Sequence, residues 1–333
     1  MKLVFGCTLS IAVLFLGCLG QKGHGAPPGG PKVGPERSVG WLTGLGREHP
    51  LVGKIWDVEH RVFVTPEQLL GNLQRSGSNA RLLLGEKHDN PDHHRLQAEL
   101  VRALASARVP GAVAFEMFDI AQQPTLDRYL HSPQATADGL GPALGWEHSG
   151  WPAWDRYAPI AREAMAGGLA LLGANLPAPQ VRAVAHEGLT ALDQAKRSEL
   201  HLTEAFPAEL DSALQSELAT AHCGQLPAAA LPRMAAAQHA RDAQMAAVLA
   251  RAPTPAVLIA GAGHVRKDYG VPYFVHQAAP TVPLQSIAFI EVETTIDVPE
   301  GYAARFASAA LPFDLVWFTP RANDDDPCAA FHK

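Results

Sequence analysis

The sequence has no surplus of positive charge. Lysine and arginine number 27 against 33 aspartates and glutamates, a net charge of −6. A surface built to neutralise phosphates carries the opposite bias, so nucleic acid is excluded as a partner. Cysteine is scarce, with four residues in the chain. Cys7 and Cys18 fall in an apolar N-terminal segment, which leaves Cys223 and Cys328 for the folded part. Those two could pair in an oxidising compartment or stand apart as surface thiols. Several catalytic signatures are missing as well. There is no G-x-S-x-G, no H-E-x-x-H and no C-x-x-C-H, which removes support from serine hydrolases, zincins and covalent haem attachment. The run 261–266 lacks the third glycine of a dinucleotide loop. No internal repeat is present.

The N-terminus reads as an export signal. Lys2 precedes an apolar stretch from Leu3 to Leu19 that is too short, and wrongly flanked, for a membrane span. Gly17 before Cys18 resembles a bacterial lipoprotein cleavage site, so residues 1–18 are expected as a signal peptide with Cys18 lipidated. Such an acyl chain would tether the protein to a membrane without spanning it. The alternative is simple secretion. Residues 19–49 then read as a flexible tether, with Gly and Pro making up half of 21–40.

What is present is a sizeable core, with 47% hydrophobic residues. Short apolar runs recur at 80–86, 111–117, 169–175, 256–262, 285–293 and 313–319, with helical stretches between them. Such runs suit strands buried on both faces, the parallel α/β arrangement. The alternating segment 54–64 reads as a hairpin or edge strand. Asn90 and Pro91 mark the start of a helix whose Leu96, Leu100 and Leu104 share a face. Further helices are expected at 152–167 and 233–250. Residues 185–230 are Ala-rich without a strand pattern and read as a helical insertion able to cover a site. The expectation is an α/β domain over 50–320. Its mostly parallel sheet has helices on both faces, and a polar tail follows at 321–333.

The polar residues fall at the ends of these runs. The segment Leu82–His94, "LLLGEKHDNPDHH", delivers Glu86 and His88. The second run delivers Glu116, followed by Asp119, the third Asn175, and the fourth His264. Ligands of open α/β sheets bind beyond the carboxyl ends of the strands, so four such ends point to one pocket. Glu86, His88, Glu116 and His264 carry the donor atoms of a divalent metal site. The same four could work without metal, a glutamate orienting a histidine as general base. Each histidine could equally be a buried one satisfied by backbone. His93 and His94 open a helix, where solvation and a site role are equal readings, and His239 is weaker still. His24, His49, His131, His201, His222 and His332 read as surface residues. Arg241 lies on an apolar stripe with Met234, Gln238, Met245 and Val248. It is either a snorkelling stem or, with Asp242, a partner for a pocket carboxylate or anionic ligand.

Taken together, "LLLGEKHDNPDHHRLQAELV", "FEMFDIAQQPTLDRYL", "WPAWDRYAPIAREAMAGGLALLGANLP", "ARDAQMA" and "AGAGHVRKDYGVP" resemble the ChaN-like haem-binding uptake family over about residues 50–295. That family shares a superfamily with the Tiki metalloproteases, and the erythromycin esterases resemble distant relatives. The resemblance implies a lipid-anchored envelope protein of haem or iron uptake. It also implies haem held by Tyr or His at a homodimer interface and contact with envelope uptake machinery. Tyr269 or His264 would then ligate iron, with Tyr157 a further candidate. Arg241, Arg266 or Lys267 would pair with the propionates. The outer membrane is the first expected location, a periplasmic or secreted form the second. The superfamily implies instead a hydrolase in which Glu86, His88, Glu116 and His264 activate water, directly or through a metal. A non-catalytic envelope interaction module is the third reading.

Overall fold

In the computed structural model, the described residues are 40–75, 79–106, 108–326 and 328–329. The expected signal peptide, lipidated Cys18, the tether up to residue 39, His24 and His332 lie outside them. The elements run β1 (Ile55–Asp57), β2 (Val62–Val64), α1 (Pro66–Arg75), β3 (Arg81–Glu86), α2 (Pro91–Ala105), β4 (Ala112–Asp119), α3 (Gln123–Leu130), α4 (Ala137–Ala143) and α5 (Ala158–Ala166). There follow β5 (Ala170–Asn175), α6 (Ala178–Glu187), α7 (Gln194–Glu199), α8 (Ala208–Ala221), α9 (Leu231–Arg251), β6 (Ala256–Gly261), α10 (Val271–Ala278), β7 (Leu284–Glu291) and β8 (Leu315–Thr319). The strands form one sheet in the order β2-β1-β8-β7-β3-β6-β4-β5. Strands β3 to β8 are parallel, and β1 closes one side antiparallel to both β8 and β2.

Pleating divides the apolar runs between two cores. Leu82, Leu84, Phe115 and Ile259 face α2 and α5, with Leu96, Leu100, Ile160 and Ala161. Leu83, Ala114, Leu258 and Ala260 face the other layer, with Ala243, Met245 and Leu249 of α9 and Phe274 of α10. Both faces being covered explains why the strands read as continuous apolar runs. The helix expected from 152 instead begins at Ala158, after a single 3-10 turn at Trp154–Arg156. Pro159 favours a helix start at its own position.

β6 separates β3 from β4, so the three central strand ends sit side by side, with Glu86 opposite Gly261 in register. Two glycines permit the crowding there. A Cβ on Gly85 would meet Val265 at 2.3 Å, and one on Gly261 would meet His88 Nε2 at 2.9 Å. Asn90 caps α2 as expected. Its Oδ1 accepts from Asp92 N at 2.9 Å, while its Nδ2 donates to Glu291 Oε1 at 2.8 Å and Pro320 O at 3.0 Å.

Residues 40–49 differ from the expected tether. Asp92 is fully buried and requires donors, which this segment supplies: Leu42 N, Thr43 N and Thr43 Oγ1 reach its carboxylate at 2.7–3.0 Å. The polar tail is held as well. Arg321 N donates to Leu45 O, Ala322 N to Glu291 Oε1 and Asn323 Nδ2 to Asp89 Oδ2. Cys223 and Cys328, left open by the sequence, form a disulfide. The cross-link spans 105 residues, so its loss frees a long loop in the unfolded chain. Cys328→Ser is expected to lower unfolding free energy by about 2–4 kcal/mol in urea titrations. An unchanged midpoint would show that the C-terminal segment bears no load.

Candidate functional site

Glu86 of β3 and Glu116 of β4 lie at the same end of the sheet on either side of β6, and both are 2% exposed. A buried carboxylate is costly unless charge and hydrogen bonds compensate it; Glu116 has partners on both oxygens, and the partners of Glu86 gather on Oε1. Glu86 Oε1 accepts the Tyr157 hydroxyl at 2.8 Å and faces His88 Nδ1 at 2.8 Å and His94 Nε2 at 3.3 Å. Glu116 Oε1 accepts from Arg241 Nη2 at 2.5 Å and lies 3.2 Å from His264 Nε2. Its Oε2 accepts from Gly261 N at 2.7 Å. Asn175 steadies this half: its Nδ2 donates to Glu116 O and its Oδ1 accepts from Arg241 Nε at 3.2 Å.

Asp242 completes the second half. Its Oδ1 lies 2.6 Å from His264 Nδ1, so the imidazole bridges two carboxylates, Asp242 and Glu116. The halves meet where His88 Nε2 stands 4.0 Å from Glu116 Oε2. His88 is also the outlet, with a side chain 33% exposed and a ring edge-on to Trp151 at 4.8 Å.

The electrostatics follow from the pairing. Burial opposes the His264 imidazolium, but Glu116 and Asp242 outweigh it and push its pKa up to about 9. Burial also opposes charge on Glu116, yet His264 and Arg241 hold its carboxyl well below the ordinary range. Glu86 is held low in the same way by His94 and His88. Burial would lower His88, but the Glu86 hydrogen bond and the Glu116 charge raise it. Burial, with Glu86 beside it, drives the Tyr157 hydroxyl far up, so it stays a donor.

The expected residues therefore divide. Glu86, His88, Glu116, His264, Asn175 and Arg241 come together. His94 joins them as a buried contact of Glu86, and Tyr157 joins as its donor rather than as an exposed ligand. His93 is structural. Its Nδ1 accepts from Lys87 N at 2.9 Å and its Nε2 reaches Thr319 Oγ1 at 2.8 Å, while burial drops its pKa to about 3. Asp119 caps the turn Ile120–Gln122 outside the site. Lys267 pairs with Asp314 at 2.5 Å. Tyr269 and Arg266 form a separate cluster under α8, with the Tyr269 hydroxyl donated to Glu217. His49, read as a surface residue, has a side chain 7% exposed and sits 3.3 Å from Asp297. Trp151 had no sequence signal, since its partner His88 comes from another element; Asp242, expected with Arg241 beside a pocket carboxylate or anionic ligand, meets His264 Nδ1 instead.

Among the described residues no group of three His, Cys, Asp or Glu side chains is arranged to hold a metal ion. Glu116 has its oxygens committed to Arg241, His264 and Gly261 N, and the guanidinium repels a second cation.

One consequence is measurable. The folded-state pKa of His264 lies above its ordinary 6.5, so its contribution to stability is complete below pH 6.5 and is lost as pH rises through about 9. The stability difference between the native protein and His264→Gln is expected to shrink from pH 6 to pH 10. A difference independent of pH would overturn the charged assignment.

A family model described as haem-binding uptake, Tiki superfamily, ChaN matches residues 73–275. No curated protein matches the chain. Among solved structures, the chain is similar to ChaN of Campylobacter jejuni, solved with cofacially bound haem. That likeness has 20% identity and a TM-score of 0.62, covering 79% of this chain and 95% of that one. The type III effector HopBA1 is 17% identical with a TM-score of 0.38, covering 76% of this chain and 92% of its own. A mutant of the erythromycin esterase EreC in its open conformation is 16% identical with a TM-score of 0.39, covering 78% and 94%. With the family model spanning more than half the chain, from the end of α1 into α10, this protein belongs to the haem-binding uptake (ChaN) family of the Tiki superfamily.

Proposed function

We propose that this protein binds haem and serves haem or iron uptake in a bacterial cell envelope, as a homodimer working with envelope uptake machinery. The observation that carries the reading is the family model over 73–275, the span that holds Glu86, His88, Glu116, Arg241, His264 and Tyr269. The small Gly17 before Cys18 supports lipid anchoring, and the Gly/Pro-rich stretch after it supports a spacer. The haem of the Campylobacter jejuni neighbour agrees with this reading.

Among the described residues of the strand-end site, His88 is the imidazole suited to iron. His88 reaches solvent, and its Nδ1 is backed by the Glu86 carboxylate, the arrangement that orients metal-binding histidines and raises their basicity. His264 has both ring nitrogens engaged, and Arg241 is bound to Glu116, Asn175 and Gln238. Bound haem would supply redox-active iron. The protein's part is to present His88, keep its Nδ1 hydrogen-bonded and shelter the ring beside Trp151.

A second reading has its own observation, the Glu86–His88 pair facing Glu116 and His264. With Nδ1–H held by Glu86, His88 Nε2 is free to take a proton from water, which is the arrangement of a general base in hydrolysis. The His264 imidazolium, held between Asp242 and Glu116, would fix the Glu116 carboxylate that faces His88. A peptide, ester or lactone would be the substrate.

Haemin titration of the purified protein separates the two. The expected result is a saturable, stoichiometric Soret shift, weakened at least tenfold in His88→Ala. Absence of a shift would sink the haem reading. Hydrolysis of test esters lost in both Glu86→Gln and His88→Ala would then carry the second.

A further inference from the structure

Glu217 stands on α8, away from the strand-end site, with a side chain 36% exposed. Its Oε2 accepts from Arg266 Nη1 at 2.8 Å and from the Tyr269 hydroxyl. Two donors from the loop after β6 thus converge on one carboxylate oxygen supplied by a different element. Arg266 itself is 1% exposed and lies 4.2 Å over the Tyr269 ring. Its charge is already met within its own loop: Asp268 accepts from Nε at 3.0 Å and from Nη2 at 2.7 Å. Glu217 is therefore not needed to neutralise Arg266. It fills the remaining face of the guanidinium, the face that suits an additional carboxylate.

The helix that carries Glu217 is docked separately from the sheet. Leu214 and Leu218 form, with Ala235 and Tyr269, a small core distinct from the two that sandwich the sheet. Phe206, Leu210 and Met234 flank it. Beyond this core α8 is held by Asp211, 3.1 Å from His239 Nε2, and by the disulfide at Cys223 just past its end. An element with its own satellite core can lift without opening the main cores. Lifting it uncovers the guanidinium and the phenol beside the apolar side chains of this small core, while the Phe306 carbonyl still accepts from Arg266 Nη2 at 3.0 Å.

The geometry points to a carboxylate-binding subsite made by Arg266 and Tyr269. Glu217 occupies it as a resident stand-in until a ligand with a carboxylate on an apolar body displaces it and α8 moves aside. The disulfide to Cys328 keeps the released helix attached. The inference extends the haem-binding reading, because haem joins carboxylates to an apolar ring, but it is tested apart from it. A resident competitor lowers apparent affinity by the fraction of time it holds the site. Deleting its charge is expected to restore that factor, about tenfold for a helix closed ten times as often as open.

The probe is dodecanoate, which has a carboxylate and an apolar chain but no iron. Amide hydrogen exchange along residues 208–221 of the full chain is expected to accelerate with dodecanoate and not with its methyl ester. Calorimetry is expected to show about tenfold tighter dodecanoate binding to Glu217→Gln than to the native protein. Unchanged exchange, equal affinity, or equal response to the ester overturns the subsite. Should Glu217→Gln fail to fold, the exchange measurement on the native chain decides alone. Haemin binding without any dodecanoate effect leaves the haem reading standing and removes the subsite. A dodecanoate effect without haemin binding does the reverse.

Discussion

Two carboxylates buried at one end of the sheet, on the strands either side of β6, set the terms for everything around them. Glu86 and Glu116 are each 2% exposed, and neither is tolerable there as a bare charge. Every element lining that end of the sheet contributes to the compensation. α2 brings His94, and the turn after β3 brings His88. Tyr157, ahead of α5, supplies the hydroxyl. β5 brings Asn175, α9 brings Arg241 and Asp242, and the turn after β6 brings Gly261 N and His264. Removing one partner of such a network leaves an uncompensated charge and typically costs about 3–5 kcal/mol.

The network is asymmetric, and the asymmetry bears on chemistry. The Glu116 half is locked, with Arg241 and Gly261 N on its oxygens and His264 clamped between acids. The Glu86 half is partly free: among the described residues its Oε2 has no hydrogen-bond partner, and neither has His94 Nδ1. A rigid half beside a half that can still accept a proton or a ligand is what a working site requires. His88 joins the two and reaches solvent, which makes it the natural contact for whatever enters.

α8 adds a second polar cluster on the α9 side of the sheet. Its tie to the loop after β6 runs through Glu217, and that loop also carries His264. A Cβ on Gly263 would come within 3.4 Å of Glu217 Oε1, so the helix lies directly against the turn that positions the site histidine. Movement of α8 and the setting of His264 are therefore neighbours in space, although one belongs to a separate small core and the other to the sheet.

By itself the sequence determined the sheet, its mostly parallel character and the gathering of polar side chains at the strand ends. Continuous apolar runs of six or so residues read one way only when helices cover both faces, and Glu86, Glu116, Asn175 and His264 each close such a run. It determined the cap at Asn90 and Pro91 for the same local reason. The tertiary structure alone decided which polar residues share the pocket. Asp242 and Tyr157 enter it because α9 and α5 pack across the ends of strands distant in the chain. Tyr269 and Arg266 follow His264 closely in sequence yet turn under α8, since their donors meet Glu217. The donor atoms of a metal site were legible, but their commitment to Arg241, His264 and a backbone amide was not. Spacing records which residues are near along the chain, and charge compensation is settled among those that folding brings together.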